Sequence, residues 1–207
     1  MCLSLLCWIG LGDYSNRWWA FGITDLLFNL IILAGVFAVF TEWRRQVVFI
    51  VIALLAVLFQ ILAFLIPDAM WIVTSYACSG IFFVLLARQV VKHIFKDGPM
   101  NFYRIQGSII VFFVVGLVYA FVYAIMETLW PRSLVVVMNT HESIGRFSEL
   151  LYFSFVTMST MGIGDVVPVS PVAKALVVFQ GLFGLLYPVV MIARLVSLEI
   201  SHSQVRR

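Results

Sequence analysis

The sequence predicts an all-α polytopic membrane protein, and its composition and the grouping of its apolar residues carry that prediction. Hydrophobic residues make up 63% of the 207 residues and charged residues only 11%. A soluble domain carries roughly 25% charged residues. The mean hydropathy is +1.09, and the apolar residues form runs near the roughly 20 residues that a membrane-spanning helix needs.

Five apolar segments are predicted to span the membrane. They are Trp18–Phe40, Val47–Ile66, Ala69–Val91, Ile105–Leu129 and Val172–Leu198. Residues 1–12 are also apolar, but a helix of that length reaches only about 18 Å, short of a hydrocarbon core of about 30 Å. We expect either a short outer-leaflet segment or the end of a truncated sixth span. The second is favoured because an even number of spans puts both termini on one side, and a misplaced start codon would produce the same sequence.

Charge and motif content argue against several other classes of protein. The net charge is only +3 and no basic stripe is interleaved with aromatic residues, so no nucleic-acid partner is expected. Cys2, Cys7 and Cys78 lie in apolar runs without C-x-x-C spacing, which indicates small hydrophobic residues. No G-x-S-x-G or H-E-x-x-H motif is present, which disfavours an intramembrane hydrolase. We expect neither an enzyme nor a cofactor.

Basic residues predict the orientation, because cytoplasmic loops are enriched in Lys and Arg. Most of the 13 basic residues fall on one side of the predicted spans: Arg44, Arg45, Arg88, Lys92, Lys96, Arg104, Arg194, Arg206 and Arg207. The opposite side receives most of the acidic residues. Residues 130–171 are therefore expected outside a cell (plasma or inner) membrane, with the C-terminus in the cytoplasm.

The outer segment contains a pattern that an ordinary loop does not explain. Residues 147–158 predict a helix of about three turns, too short to cross the bilayer. Gly162 and Gly164 interrupt it, and Pro168 and Pro171 follow. The pattern predicts a re-entrant loop, and such backbone is tolerated at membrane depth only where it is buried in protein or lines water. The alternative is a tight extracellular turn with flexible glycines.

This segment resembles the pore of tetrameric potassium channels. "STMGIGD" is similar to the filter signature T-V-G-Y-G, "LYFSFVTMSTMGIGDVVPVSP" resembles a pore helix, filter and following turn, and "LFGLLYPVVMIARLVSLEI" resembles the inner helix of bacterial two-helix-pore channels. The resemblance covers about residues 105–199. It implies a homotetramer with a pore domain at 98–207, comprising outer helix 105–129, pore helix 147–158, filter 159–165 and inner helix 172–198. Residues 1–97 would form an N-terminal transmembrane helical bundle.

The resemblance implies a potassium-selective or potassium-preferring channel, with K⁺ as the permeant ligand. In that family, backbone carbonyls from four chains replace the hydration shell of the ion. Here those carbonyls would belong to Thr160, Met161, Gly162 and Ile163, with the Thr160 hydroxyl at the inner end. Successive carbonyls face one axis only if the backbone alternates in handedness, and Gly162 and Gly164 accept positive φ without steric cost.

Two positions depart from the signature, since Met161 replaces its valine and Ile163 its aromatic residue. Ile163 cannot donate the hydrogen bond that this aromatic residue gives in many relatives. Filter support is instead expected from Ser159, Asp165, Tyr152, Phe153 and Val156, with Tyr152 able to reach Asp165 and the rest mainly apolar packing. A weakly selective monovalent cation channel and a non-conducting accessory subunit stay open as alternatives. An ion-coupled transporter needs four such loops per chain, and one is present.

Gly181, Gly184 and Pro188 on the predicted inner helix are candidates for a gating hinge. Pro188 removes a helix hydrogen bond, and the glycines could alternatively form a packing face. The short C-terminal tail leaves no room for a soluble ligand-sensing domain. At the outer mouth, we expect a weakly negative, solvated rim from Glu127, Glu142, Glu149, Asp165, Arg132, Arg146 and Lys174.

The preceding helices lack the features of a voltage sensor. Such a sensor needs several arginines at three-residue spacing within the membrane, whereas Arg88 and Lys92 lie at the inner end of their helix. Asp25 and Asn29 form a polar pair inside a predicted span. That pair is either functional or a hydrogen-bonding contact with a neighbouring helix.

Overall fold

The computed structural model describes residues 43–65, 68–94, 102–137 and 147–205. This part of the chain forms five helices and two short strands. They are α1 (Trp43–Leu65), α2 (Ala69–Ile94), α3 (Phe102–Leu129), β1 (Leu134–Val136), α4 (Phe147–Met158), β2 (Val166–Pro168) and α5 (Pro171–Val205). The expectations for residues 1–12, the span 18–40, Cys2, Cys7, Asp25 and Asn29 fall outside the described residues.

Three of the described helices are long and apolar enough to cross a membrane. The spanning stretches are Ala69–Lys92 in α2, Arg104–Leu129 in α3 and Pro171–Arg194 in α5. Helix α1 covers the predicted span 47–66 and contains a shorter apolar run, Ile50–Leu62. Helix α4 has 12 residues, too few to cross. The described part of the chain therefore has the helical architecture that the apolar runs predict for a membrane protein.

Helix α3 is central to the packing. Phe82 and Phe83 of α2 pack against Leu117 and Phe121 of α3, and Leu151 of α4 joins the same buried cluster. At the other end of α3, Val111 packs with Val90 and Ile94 of α2 and with Met191 of α5. Because both clusters use α3, this helix links α2 to α4 and α5.

A small antiparallel strand pair was not predicted and is an addition to the all-α class. Val136 of β1 pairs with Val166 of β2, and Leu134 pairs with Pro168. Leu134 and Val166 also pack with Tyr123, Phe153 and Ala173 in one buried cluster. The strands therefore connect the end of α3 to the chain between α4 and α5. Each has only three residues, too few for an alternating pattern to mark a strand.

Candidate functional site

Helix α4 covers the range expected for the short helix, and backbone hydrogen bonds define its end. The N–H of Thr160 donates to the carbonyl of Thr157 (3.0 Å), and the N–H of Met161 donates to that of Val156 (3.1 Å). This pair of bonds is a Schellman motif with Thr160 at the C′ position, which usually holds glycine in the left-handed region. Thr160 adopts φ 58°. The cap therefore directs the chain out of α4 and into residues 159–165, the filter segment.

The backbone of the filter segment alternates in handedness. Thr160, Gly162 and Gly164 have φ of 58°, 57° and 81°, whereas the intervening Met161 and Ile163 are not in the positive-φ region. The sequence predicts positive φ at the two glycines and misses Thr160. The alternation is the condition under which successive carbonyls face one axis.

The filter segment has little cover from its own chain. Residues 159–164 are all exposed, and the side chains of Met161 and Ile163 are 70% and 57% exposed. A β-carbon added at Gly162 would meet nothing within 4 Å. The described part of the chain therefore leaves the backbone of residues 159–164 without cover.

Asp165 ends the filter segment, and both its side chain and its backbone are held. Its carboxylate accepts from the N–H of Val166 (2.9 Å), and its carbonyl accepts from the N–H of Val137 (2.8 Å). The Tyr152 phenol lies near this carboxylate. Desolvation raises the pKa of Tyr152, and the neighbouring Asp165 carboxylate raises it further. The phenol therefore stays a donor at neutral pH.

The other predicted support residues make their side-chain contacts mainly with α4 or α3. The Ser159 hydroxyl donates to the carbonyl of Val156 (3.2 Å), and Val156 is buried. The Thr160 hydroxyl donates to the carbonyl of Ser159 (2.7 Å), which leaves its oxygen able to accept. Phe153 packs edge-on against Tyr123 of α3, with ring centroids 5.2 Å apart. Phe153 therefore contributes by holding α4 against α3.

A buried hydrogen-bond chain that the sequence does not predict joins α3, α4 and α5. Tyr123 donates to Gln180 Oε1 (2.6 Å). Gln180 Nε2 donates to the Ser154 carbonyl (2.9 Å) and hydroxyl (2.7 Å). Ser154 in turn donates to the carbonyl of Gly116 (2.6 Å). The one available signal was an amide within the apolar run of α5, because polar side chains often join helices in membranes.

The hinge candidates differ in their surroundings. A β-carbon at Gly184 would overlap the carbonyl oxygen of Met158 and lie 2.8 Å from its carbonyl carbon. At Gly181, a β-carbon would meet none of the described residues within 4 Å. Helix α5 continues through Pro188. Gly184 is thus a point of close packing between α5 and the end of α4, and hinge motion at Gly181, Gly184 or Pro188 stays a prediction.

Glu127 is not a solvated rim residue, which corrects that expectation. It is 7% exposed, and its carboxylate accepts from the N–H groups of Arg132 (2.6 Å) and Leu134 (3.2 Å). These bonds hold the turn from α3 into β1, where Arg132 has φ 68°. A carboxylate that accepts two backbone hydrogen bonds can be buried at lower cost, so Glu127 serves the fold of the outer turn.

Comparison with known proteins points to one family. The family model described as "Ion channel" matches residues 109–200, less than half of the chain. This match supports an ion-channel family. It runs from α3 into α5 and includes the filter segment and Gln180, and it suggests a transporter-like role rather than an enzymatic one. No curated protein and no solved structure gives a significant match.

Proposed function

We propose that four copies of this chain form a potassium-preferring cation channel in the plasma or inner membrane, with the C-terminus in the cytoplasm. The observation that carries the proposal is the alternating handedness at Thr160, Gly162 and Gly164. It follows a helix too short to cross, within a region that matches an ion-channel family.

The exposure of the filter segment supports assembly with further copies. Non-helical backbone at membrane depth must be buried in protein or line water. In one chain, residues 159–164 are exposed, so lipid would meet them unless other subunits cover them. Helix α5 also presents large exposed apolar side chains, including Phe179 at 67% and Val189 at 61%. In the proposed tetramer, four filter segments surround a water-filled axis and neighbouring subunits cover their outer sides.

The proposed ion path uses backbone oxygens rather than charged side chains. Carbonyls of Thr160, Met161, Gly162 and Ile163 from four chains replace the water around a dehydrated K⁺ ion, and the Thr160 hydroxyl completes the inner end. The C-terminus of α4 directly precedes these residues. Its partial negative charge favours a cation on the inner side of the filter.

Weak selectivity among monovalent cations is the second candidate, and the exposure of Met161 and Ile163 favours it. Neither side chain can donate a hydrogen bond. The Tyr152–Asp165 contact lies within one chain, whereas packing around residues 161 and 163 has to come from neighbouring subunits. A filter held in this way adapts more easily to a smaller ion.

Reconstitution of the full-length protein in liposomes tests both candidates. The liposomes carry opposed K⁺ and Na⁺ gradients, and the reversal potential is measured. A value near the K⁺ equilibrium potential supports the leading proposal, and a value near zero at equal total concentrations supports the weakly selective channel. A purified tetramer that carries no flux would instead indicate an accessory subunit.

A further inference from the structure

The polar chain between α3, α4 and α5 is fully buried. Tyr123, Ser154 and Gln180 each have 0% exposure, and each lies on a different helix. In a membrane, an unsatisfied polar group costs several kcal/mol. Such a group is retained where its hydrogen bonds hold helices together.

The donors and acceptors along the chain define one orientation of Gln180. Its Oε1 accepts from the Tyr123 phenol, and its Nε2 donates to both the carbonyl and the hydroxyl of Ser154. With the amide reversed, Oε1 would face the Ser154 carbonyl, and two acceptors would repel each other. The side chain therefore requires Tyr123 on one side and Ser154 on the other.

Two contacts one helical turn apart align α5 with α4. Gln180 meets Ser154, and one turn further along both helices Gly184 lies against the Met158 carbonyl. Gln180 and Gly184 share a face of α5, and Ser154 and Met158 share a face of α4. The second contact is backbone packing that leaves no room for a β-carbon at position 184, and the first has directional hydrogen bonds. Together they define a single register between the two helices.

The contact of Gly184 with Met158 lies directly before the filter segment. Met158 is the last residue of α4, and the N–H groups of Thr160 and Met161 bond back into its final turn. A displacement of the end of α4 along α5 therefore moves the first filter carbonyls directly.

We propose that Gln180 is a positioning residue: its hydrogen bonds fix the register of α5 against α4 and thereby the geometry of the filter segment. The consequence for ion selection rests on the proposed channel function. The positional role does not, because it concerns the backbone of residues 159–165 whether or not ions pass.

Hydrogen exchange of the full-length protein in lipid nanodiscs tests the positional role. Gln180→Met removes all three bonds at similar side-chain length, and Tyr123→Phe removes one of them. Tyr187→Phe is the matched control. It removes a 2.8 Å bond from α5 to the Ser108 carbonyl of α3 and leaves α4 untouched. We expect amide exchange across residues 159–165 to accelerate roughly fivefold in Gln180→Met, less in Tyr123→Phe, and not in Tyr187→Phe.

The same variants, measured in the liposome assay, test the consequence for ion selection. We expect Gln180→Met to lower the potassium-to-sodium permeability ratio by roughly twofold or more, with Tyr187→Phe at the wild-type value. Unchanged exchange in both Gln180→Met and Tyr123→Phe would overturn the proposal, as would equal acceleration in all three variants. If Gln180→Met does not fold, Tyr123→Phe against Tyr187→Phe still decides. A wild-type protein without flux rejects the channel function, while the exchange result separately decides the positional role.

Discussion

The two sides of α4 differ in how much of their environment one chain supplies. Toward α3 and α5, Leu151 and Ser154 are fully buried, and the polar atoms of Gln180 find partners within the same chain. On the filter side, Met161 is 70% exposed and a β-carbon at Gly162 would meet open space. Within the described residues, one chain thus buries the α3- and α5-facing side of α4, whereas it leaves the filter segment exposed.

The contact between Gly184 and Met158 joins the two sides, so its disruption has the largest expected effect. Gly184→Ala places a methyl group into the backbone of Met158, which a flexible side chain cannot relieve. Overpacking of this kind costs about 1–3 kcal/mol, and more where backbone must move. We expect a lower melting temperature, less tetramer on size-exclusion chromatography and loss of flux.

Gly181→Ala is the matched control for that variant. Its added methyl meets nothing within 4 Å, and alanine is favoured over glycine in a helix by roughly 1 kcal/mol. The control should melt at or slightly above the wild-type temperature. Equal stability of Gly184→Ala and Gly181→Ala would show that the close packing at Gly184 does not constrain the protein.

Substitution of Gly162 and Gly164 tests the exposed filter segment without disturbing the packing of α4 against α3 and α5. Gly162→Ala and Gly164→Ala force alanine into φ of 57° and 81°, at about 1–2 kcal/mol per position, repeated in each proposed subunit. The space around Gly162 is open within the chain, so the penalty there is conformational. We expect flux to fall at least tenfold, while circular dichroism shows that the variant proteins keep the wild-type helical content.

Gly80→Ala on α2 controls for glycine replacement as such. A β-carbon there makes an ordinary contact of 3.6 Å with Phe121, so flux should stay at the wild-type level. Undiminished flux in both filter variants would contradict a role for positive φ at these positions.

The same contrast explains what the sequence could predict. Gly162 and Gly164 were predictable because the residue type itself permits positive φ. The conformation of Thr160 was not, because it arises from the Schellman cap that closes α4. Gln180 was missed because its partners become apparent only when the face of α5 that meets α4 is known.

The outer turn shows a different limit of sequence reasoning. A charged residue near the end of an apolar helix suggests solvent, yet Glu127 is buried against backbone N–H groups. The three-residue strands carried no periodic signal of their own. The ion preference and the number of subunits stay predictions, because both depend on surfaces that a single chain leaves open.

Glu127 offers a test of the buried packing at the turn from α3 into β1, away from the filter segment. Glu127→Ala leaves the N–H groups of Arg132 and Leu134 without their acceptors, at about 1–3 kcal/mol for buried groups. Glu127→Gln keeps one acceptor oxygen and should lose about half as much. Thermal unfolding in detergent measures both, with wild-type ion selectivity expected in each. An unchanged melting temperature in Glu127→Ala would place these N–H groups in contact with water.

The smallest effect on ion selectivity is expected from substitution of Tyr152, which lies beside Asp165 of the same chain. Tyr152→Phe removes the hydroxyl beside Asp165 and leaves the ring. This site is partly solvated, so the permeability ratio should change by roughly two- to threefold.

The pH dependence of that change identifies its origin. Desolvation raises the pKa of Tyr152 and the neighbouring Asp165 raises it further, because both favour the neutral phenol. A raised folded-state pKa means that the contribution is complete below the ordinary tyrosine value of about 10 and is lost only as pH rises through the folded value. The difference between Tyr152→Phe and wild type should therefore be constant between roughly pH 6 and 9. A difference that disappears as pH rises within this window would assign the effect to a group other than the phenol. A Tyr152→Phe variant identical to wild type would show that the phenol does not help hold Asp165, whose carbonyl still accepts from the N–H of Val137.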